Sequence, residues 1–318
     1  MQCSAPQRIC GGLWFLHLLH EEQMLTTAQA PDRFWTQQAI ELDHHRRYID
    51  PGSGQRFYPI QLADGRWLAV PGVTSMLGVL DPPEDKEILR QWRERELAAG
   101  RDPNHRRESG TRVHAGIESY IRSGHPGELN PEDAGFFSGM ERHLDKFEEF
   151  LWSERPLVQG WEHCWNAPEG DPHRLARVWS ASWGFAGTPD LIARRRGLTI
   201  LGDFKTSTRP YFRCHGERVP RHHALGYKKL LKTIRQLCAY TLAVEEILPG
   251  IHIDALQILV ALPETDETQS FYIERRSAEF ARECETIKQA AVQFWQHFGQ
   301  SRSTVAALPL APTAASAA

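Results

Sequence analysis

Three residues in the stretch GFAGTPDLIARRRGLTILGDFKTS (184–207) could do chemistry together: Asp190, Asp203 and Lys205. Two short apolar runs flank the basic turn ARRRG, which predicts two strands joined as a hairpin. Asp190 would open the first strand, and Asp203 and Lys205 would close the second, so all three would gather at the end far from the turn. Side chains two apart on a strand share a face. Asp203 and Lys205 therefore point the same way, with Phe204 on the other side. Two close carboxylates repel each other. A lysine offsets part of that repulsion and a hard divalent cation offsets more; Mg²⁺ prefers one or two carboxylates with waters and substrate phosphates. Such a set suits metal-assisted phosphodiester hydrolysis, the cation polarising a phosphoryl oxygen and acidifying its water. The lysine would orient or deprotonate the attacking water, or stabilise developing negative charge. The plainer reading is an exposed Asp–Lys pair at a strand end, which is common and energetically weak.

The elements that must position these residues read as α/β. Turn signals at Pro51-Gly52 and Asp64-Gly65 punctuate alternating runs within 46–80, which predicts hairpin-like structure running into a short helix from Val73. Charged residues 84–99 and the segment 108–124, stopped by Gly124, predict helices. Phe136, Phe137, Met140, Leu144, Phe147 and Leu151 recur at helical spacing and predict a third. Strand-like runs then cover 156–166, 175–183, 187–194 and 198–205. A helix is predicted over 224–248, strands over 252–262 and 269–276, and a last amphipathic helix over 277–297. Helices, a strand meander, a helix, strands and a helix make a central mixed β-sheet flanked by helices.

The 318 residues suffice for one large core without staples, and 41 % apolar with 24 % charged content is ordinary for a globular chain. The net charge of −3 leaves any polyanionic partner to a local patch. Six cysteines stand singly at 3, 10, 164, 214, 238 and 284, with no CxxC, which fits a reducing cytoplasm. No run of 18 apolar residues exists, so no membrane span is expected. ICGGLWFLHLL with Ala28-Gln29-Ala30 loosely mimics a secretory signal, but His17, His20, Glu21 and Glu22 interrupt or flank it. Residues 1–40 read as an irregular leader, 41–298 as one domain with an N-terminal helical part, and the Ala/Pro/Ser-rich 299–318 as a disordered tail.

GTPD followed by DFKTS, with 13 residues from Asp190 to Asp203, resembles the core of the PD-(D/E)xK nucleases, whose restriction-endonuclease-like fold would carry Asp190, Asp203 and Lys205 as its signature. Further segments resemble the RecB-like exonuclease branch. GTRVHAGIESYI is similar to its upstream helix, where the resemblance makes His114 a metal ligand; WEHCWN is like its strand with a glutamate, here Glu162; QLCAY is like its Gln-x-x-x-Tyr helix, here Gln236 and Tyr240. VPGVTSMLGVL is similar to the N-terminal segment of the standalone group of mitochondrial genome maintenance exonuclease type. The resemblance covers about residues 45–280. It implies Mg²⁺ or Mn²⁺ held by His114, Asp190, Asp203 and the backbone carbonyl of Phe204.

The residues themselves leave alternatives open. His114 could be a surface or capping histidine; Glu118, four residues on, could orient it or be a solvated helix charge; Glu162 could be a strand-edge charge. Gln236 and Tyr240 could merely brace a helix–sheet contact. Residues 206–235 hold five Arg and three Lys against one Glu, with Tyr211, Phe212 and Tyr227 interleaved. Such a run can track phosphates and stack unpaired bases, so Thr206, Arg209, Arg213 and Lys228 join Gln236, Tyr240, Glu118 and Glu162 as candidates for binding substrate or bracing the site.

The expectation is a metal-dependent DNA exonuclease acting on single-stranded ends in repair, recombination or genome maintenance. The alternatives are a structure-specific endonuclease and a catalytically inert DNA-binding module of the same fold. Relatives in this branch with an iron–sulfur cluster use one upstream and three downstream cysteines; Cys284 alone near the C-terminus argues against such a cluster. No GxxxxGK[ST] motif occurs, so a helicase or other repair partner would be a separate chain.

Overall fold

The computed structural model describes residues 34–306, apart from 44, 51–53, 63, 172–173, 212–224, 249 and 264–266. The chain opens with four short strands, β1 (Ile40–Leu42), β2 (Tyr48–Ile49), β3 (Arg56–Gln61) and β4 (Trp67–Pro71), paired antiparallel in the order β1-β4-β3-β2. Helices α1 (Val73–Leu77), α2 (Pro83–Ala98), α3 (His105–Ser123) and α4 (Pro131–Leu144) follow. Strand β5 (Glu149–Ser153) comes next, then a small hairpin of β6 (Val178–Ser180) and β7 (Phe185–Gly187), then β8 (Leu191–Arg195) and β9 (Leu198–Thr206). Helix α5 (Leu225–Ile247), strands β10 (Ala255–Leu262) and β11 (Glu267–Glu274), and helix α6 (Ala278–Ala306) complete the order.

The central sheet is mixed and runs β11-β10-β9-β8-β5. Within this sheet β9 and β10 pair in parallel and the other neighbours antiparallel, and α5 makes the crossover that a parallel pair requires. Every residue of β10 is buried, as expected of a strand covered on both faces. On one face Leu191, Ala193, Ile200, Phe204 and Leu259 pack with Val113 and Ile117 of α3 and Phe136, Phe137 and Met140 of α4. On the other, Ile192, Leu201, Ile258 and Val260 join Leu237, Tyr240 and Val244 of α5 and Ile287 and Phe294 of α6. The sheet is thus flanked by helices on both sides, and the β8–β9 hairpin lies inside it.

Several boundaries differ from the sequence expectation. Trp35 falls within the expected leader, yet it is fully buried, stacks on Trp295 at 5.5 Å and donates its indole N–H to the Ala181 carbonyl at 2.9 Å. A Cβ at Gly184 would stand 2.6 Å from the Trp35 ring, so this position needs glycine. Residues 1–33 lie outside the described residues. Helix α4 stops at Leu144; Phe147 and Leu151 match its period only by coincidence, because Leu151 belongs to β5. The run 156–166 is not a strand but irregular chain with one 3₁₀ turn, Glu162–Cys164. Gly160, at φ 90°, and flanking prolines break it. Helix α6 continues to Ala306 into the expected tail, and no proline intervenes before Pro309; residues 307–318 are not described. Among the described residues, no helix is long and apolar enough to cross a membrane.

Candidate metal centre

The β8–β9 register sets the site. Leu191 pairs with Gly202, so Asp190 and Asp203 face each other at the hairpin's open end. The turn before Asp190 is held from three sides. Thr188 donates its hydroxyl to the Ala176 carbonyl at 2.8 Å, and the buried Trp152 donates its indole N–H to the Pro189 carbonyl at 2.8 Å. Gly187 lies under the Tyr240 ring, where a Cβ would stand 2.7 Å away, so no larger residue fits between them. Asp190 Oδ2 then accepts the Phe204 N–H at 2.8 Å, which ties the two strands together through a side chain.

Asp203 is 1 % exposed, and its Oδ2 lies 2.5 Å from Lys205 Nζ. Lys205 thus pairs with Oδ2, while Oδ1 has no hydrogen-bond partner among the described residues. Burial raises the pKa of both aspartates, and the neighbouring carboxylate adds to the rise at Asp203. Burial pushes the Lys205 pKa down, but Asp203 and Asp190 outweigh it, so the ammonium is held charged.

His114 arrives from α3. Its Nε2 lies 3.0 Å from the Phe204 carbonyl, and its Nδ1 lies 3.2 Å from Glu154 Oε1 and 3.8 Å from Asp190 Oδ2. Burial lowers the imidazolium pKa; the charges of Asp190 and Glu154 more than reverse that, to about 9. With both ring nitrogens facing acceptors, the protonated ring donates to each. His114, Glu154 and Asp190 bring one ligand atom apiece within 4.8 Å of one another, a donor set of one imidazole and two carboxylates.

Glu154 was not visible in the sequence. It follows the end of β5, where Ser153 pairs with Leu191, and its N–H donates to the Asp190 carbonyl at 3.1 Å. Its φ of 54° is left-handed, a conformation that costs a non-glycine residue on the order of 1–2 kcal/mol. A bulge between Phe150 and Trp152 lies just upstream. Bulges and left-handed residues of this kind concentrate where a side chain must be re-aimed. A Ser-Glu-Arg-Pro sequence carries no such signal.

The other candidates divide. Tyr240 is buried beside the aspartates; burial raises its pKa, so it remains a neutral phenol, and Gln236 Nε2 lies 3.4 Å from its hydroxyl. Thr206 sits at the end of β9 where α3 passes, 3.4 Å from a Cβ built on Gly110. Glu118 does not orient His114; it pairs with Arg155, and Glu154 takes the role expected of it. Glu162 is exposed on the 3₁₀ turn, accepts the Gly160 N–H and is not among the clustered donors. Lys228 is exposed and pairs with Asp85 at 3.2 Å. Arg209 is exposed; Arg213 and Phe212 lie outside the described residues. Tyr211 is not free to stack on bases, being buried against Phe271.

No protein-family model matches the sequence, and no curated protein matches it significantly.

Proposed function

We propose that this chain is a metal-dependent DNA exonuclease with a restriction-endonuclease-like core of the PD-(D/E)xK type. The observation that carries the reading is the β8–β9 register, with buried Asp190 opposite Asp203 and Lys205 beside them. A divalent cation suits this site because Asp203 is buried beside Asp190 and its Oδ1 has no hydrogen-bond partner among the described residues, Lys205 facing only Oδ2. That arrangement is costly unless something neutralises it. The hard oxygen donors with one imidazole fit Mg²⁺ or Mn²⁺ better than a thiolate-seeking metal.

His114, Glu154 and Asp190 would hold the ion, with Asp203 and the Phe204 carbonyl adjacent. When bound, the ion polarises a phosphoryl oxygen and acidifies a water. The protein's own groups do the rest. Lys205 is held as an ammonium, so it orients the attacking water and stabilises negative charge on the phosphoryl oxygens rather than taking a proton. Glu154 fixes the orientation of the His114 ring. Trp152, Thr188 and Gly187 keep Asp190 in register.

The test compares linear and closed circular single-stranded DNA with Mg²⁺ or Mn²⁺. Shortening of the linear strand alone supports an exonuclease. Nicking of the circle would make it an endonuclease, and intact DNA in both forms would remove the hydrolytic reading.

A further inference from the structure

Helix α3 carries more than His114 on its site-facing stripe. Arg107, Thr111, His114 and Glu118 recur at i, i+4, i+7 and i+11, one line along the helix. Toward the N-terminus of that line, Arg107, Glu108, Thr111 and Arg112 face Arg56 of β3 across an open groove of about 570 Å³. Arg112 is committed, with its Nε 2.5 Å from Asp133 and an Nη 3.0 Å from Glu132. Arg56 and Arg107 are exposed, and neither forms an ion pair with a described residue. Among the described lining residues the groove therefore offers two uncommitted guanidinium groups against one carboxylate, Glu108. Among the described residues its lining holds charged and hydroxyl groups and no aromatic ring, which suits phosphates better than base stacking.

We infer that this groove is the track on which the phosphate backbone of single-stranded DNA approaches the metal centre, with Arg56 and Arg107 as its phosphate contacts. The direction of the track rests on the nuclease reading. Guanidinium groups grip phosphates through paired N–H donors. Arg107 and His114 are separated by about 10 Å along the helix, and Thr206, at the end of β9, approaches α3 between them at Gly110.

The experiment is fluorescence anisotropy of a labelled oligodeoxythymidylate in EDTA across a series of NaCl concentrations. The Arg56→Gln/Arg107→Gln double variant should show a log K against log [NaCl] slope shallower by about 1.4, or about 0.7 per lost phosphate contact on a single strand. Arg93→Gln, an equally exposed change on α2, should run parallel to wild type. Both groove positions are exposed, so a thermal melt should match wild type; if the double variant does not fold, each single variant should lose about 0.7. An unchanged slope in folded variants, or no DNA binding by the wild type, overturns the inference. Because binding is read without metal, the two readings fail separately. Wild type that cleaves while the variant slope is unchanged ends the groove alone. Wild type that binds with the expected slopes but never cleaves ends the nuclease reading and leaves the phosphate contacts standing.

Discussion

Asp203–Lys205 and Asp85–Lys228 are the same ion pair in two settings. The first has its carboxylate 1 % and its ammonium 31 % exposed, at 2.5 Å; the second has 39 % and 59 %, at 3.2 Å. At the surface water screens both charges, and such pairs contribute about 0–1 kcal/mol. At the sheet end Asp203 is buried, its Oδ1 has no hydrogen-bond partner among the described residues, and Asp190 stands opposite. A fold gains little stability from that arrangement, because desolvating the charges offsets their attraction. The contrast separates a pair that decorates a surface from one buried at the proposed metal centre. Both lysines were candidates by sequence, and only burial distinguishes them.

The largest effect expected is that of Lys205→Ala. Cleavage should fall by at least about 10²–10³-fold, as when a group stabilising developing charge is removed. In EDTA the variant should also lose roughly 3–5 kcal/mol, the usual result of leaving a buried carboxylate unpaired, or less where Asp203 takes up a proton. Mg²⁺ should restore part of that loss in a thermal melt. A wild-type melt in EDTA would show that the pair is no more than its surface counterpart.

Glu154→Gln comes next, with metal affinity or activity expected to drop by about 10–100-fold, the range for groups that orient a ligating histidine. Titration of Mn²⁺ by calorimetry reads it directly, and an unchanged affinity would exclude Glu154 from the site. Glu118→Gln, which disturbs the pairs with Arg155 and Arg122 and not the His114 contacts, should leave the affinity near wild type.

A pH series sharpens the contrast further. His114 is held at about 9, above the ordinary value of about 6.5. Its ion pairs stabilise the metal-free fold fully below about pH 6.5, and that contribution is lost as pH rises through about 9. Asp190 and Asp203 are raised, chiefly by burial, so their ionisation opposes the fold once pH passes the ordinary carboxylate value of about 4. Both trends weaken the metal-free protein as pH rises, while a cation needs these ligands deprotonated. The rise in Tm on adding Mg²⁺ should therefore be larger at pH 8.5 than at pH 6, and equal increments would contradict it. The smallest effect belongs to the surface pair: Lys228→Ala should move stability by no more than about 0.5 kcal/mol, measured by urea denaturation.

Much of this was legible because strands have a period of two. Alternation around ARRRG, with Asp190 and Asp203 at the outer ends, already implied the register later seen, and 3.6-residue spacing placed His114 on a helix. Glu154 was not legible, since what aims it is a left-handed backbone and a bulge, neither of which has a composition. Glu162 misled because an aromatic-rich segment reads as a strand until Gly160 and the prolines bend it. Tyr211 misled because an aromatic among basic residues can face a base or a core, and here Phe271 takes it.

The most direct test is degradation of end-labelled linear single-stranded DNA by the wild type and by Asp203→Asn, each with Mg²⁺ or Mn²⁺ and with EDTA. Shortening that needs the metal and is lost in a folded Asp203→Asn variant is the expected result. Shortening that survives EDTA, or that Asp203→Asn retains in full, would contradict a metal centre built on the β8–β9 carboxylates.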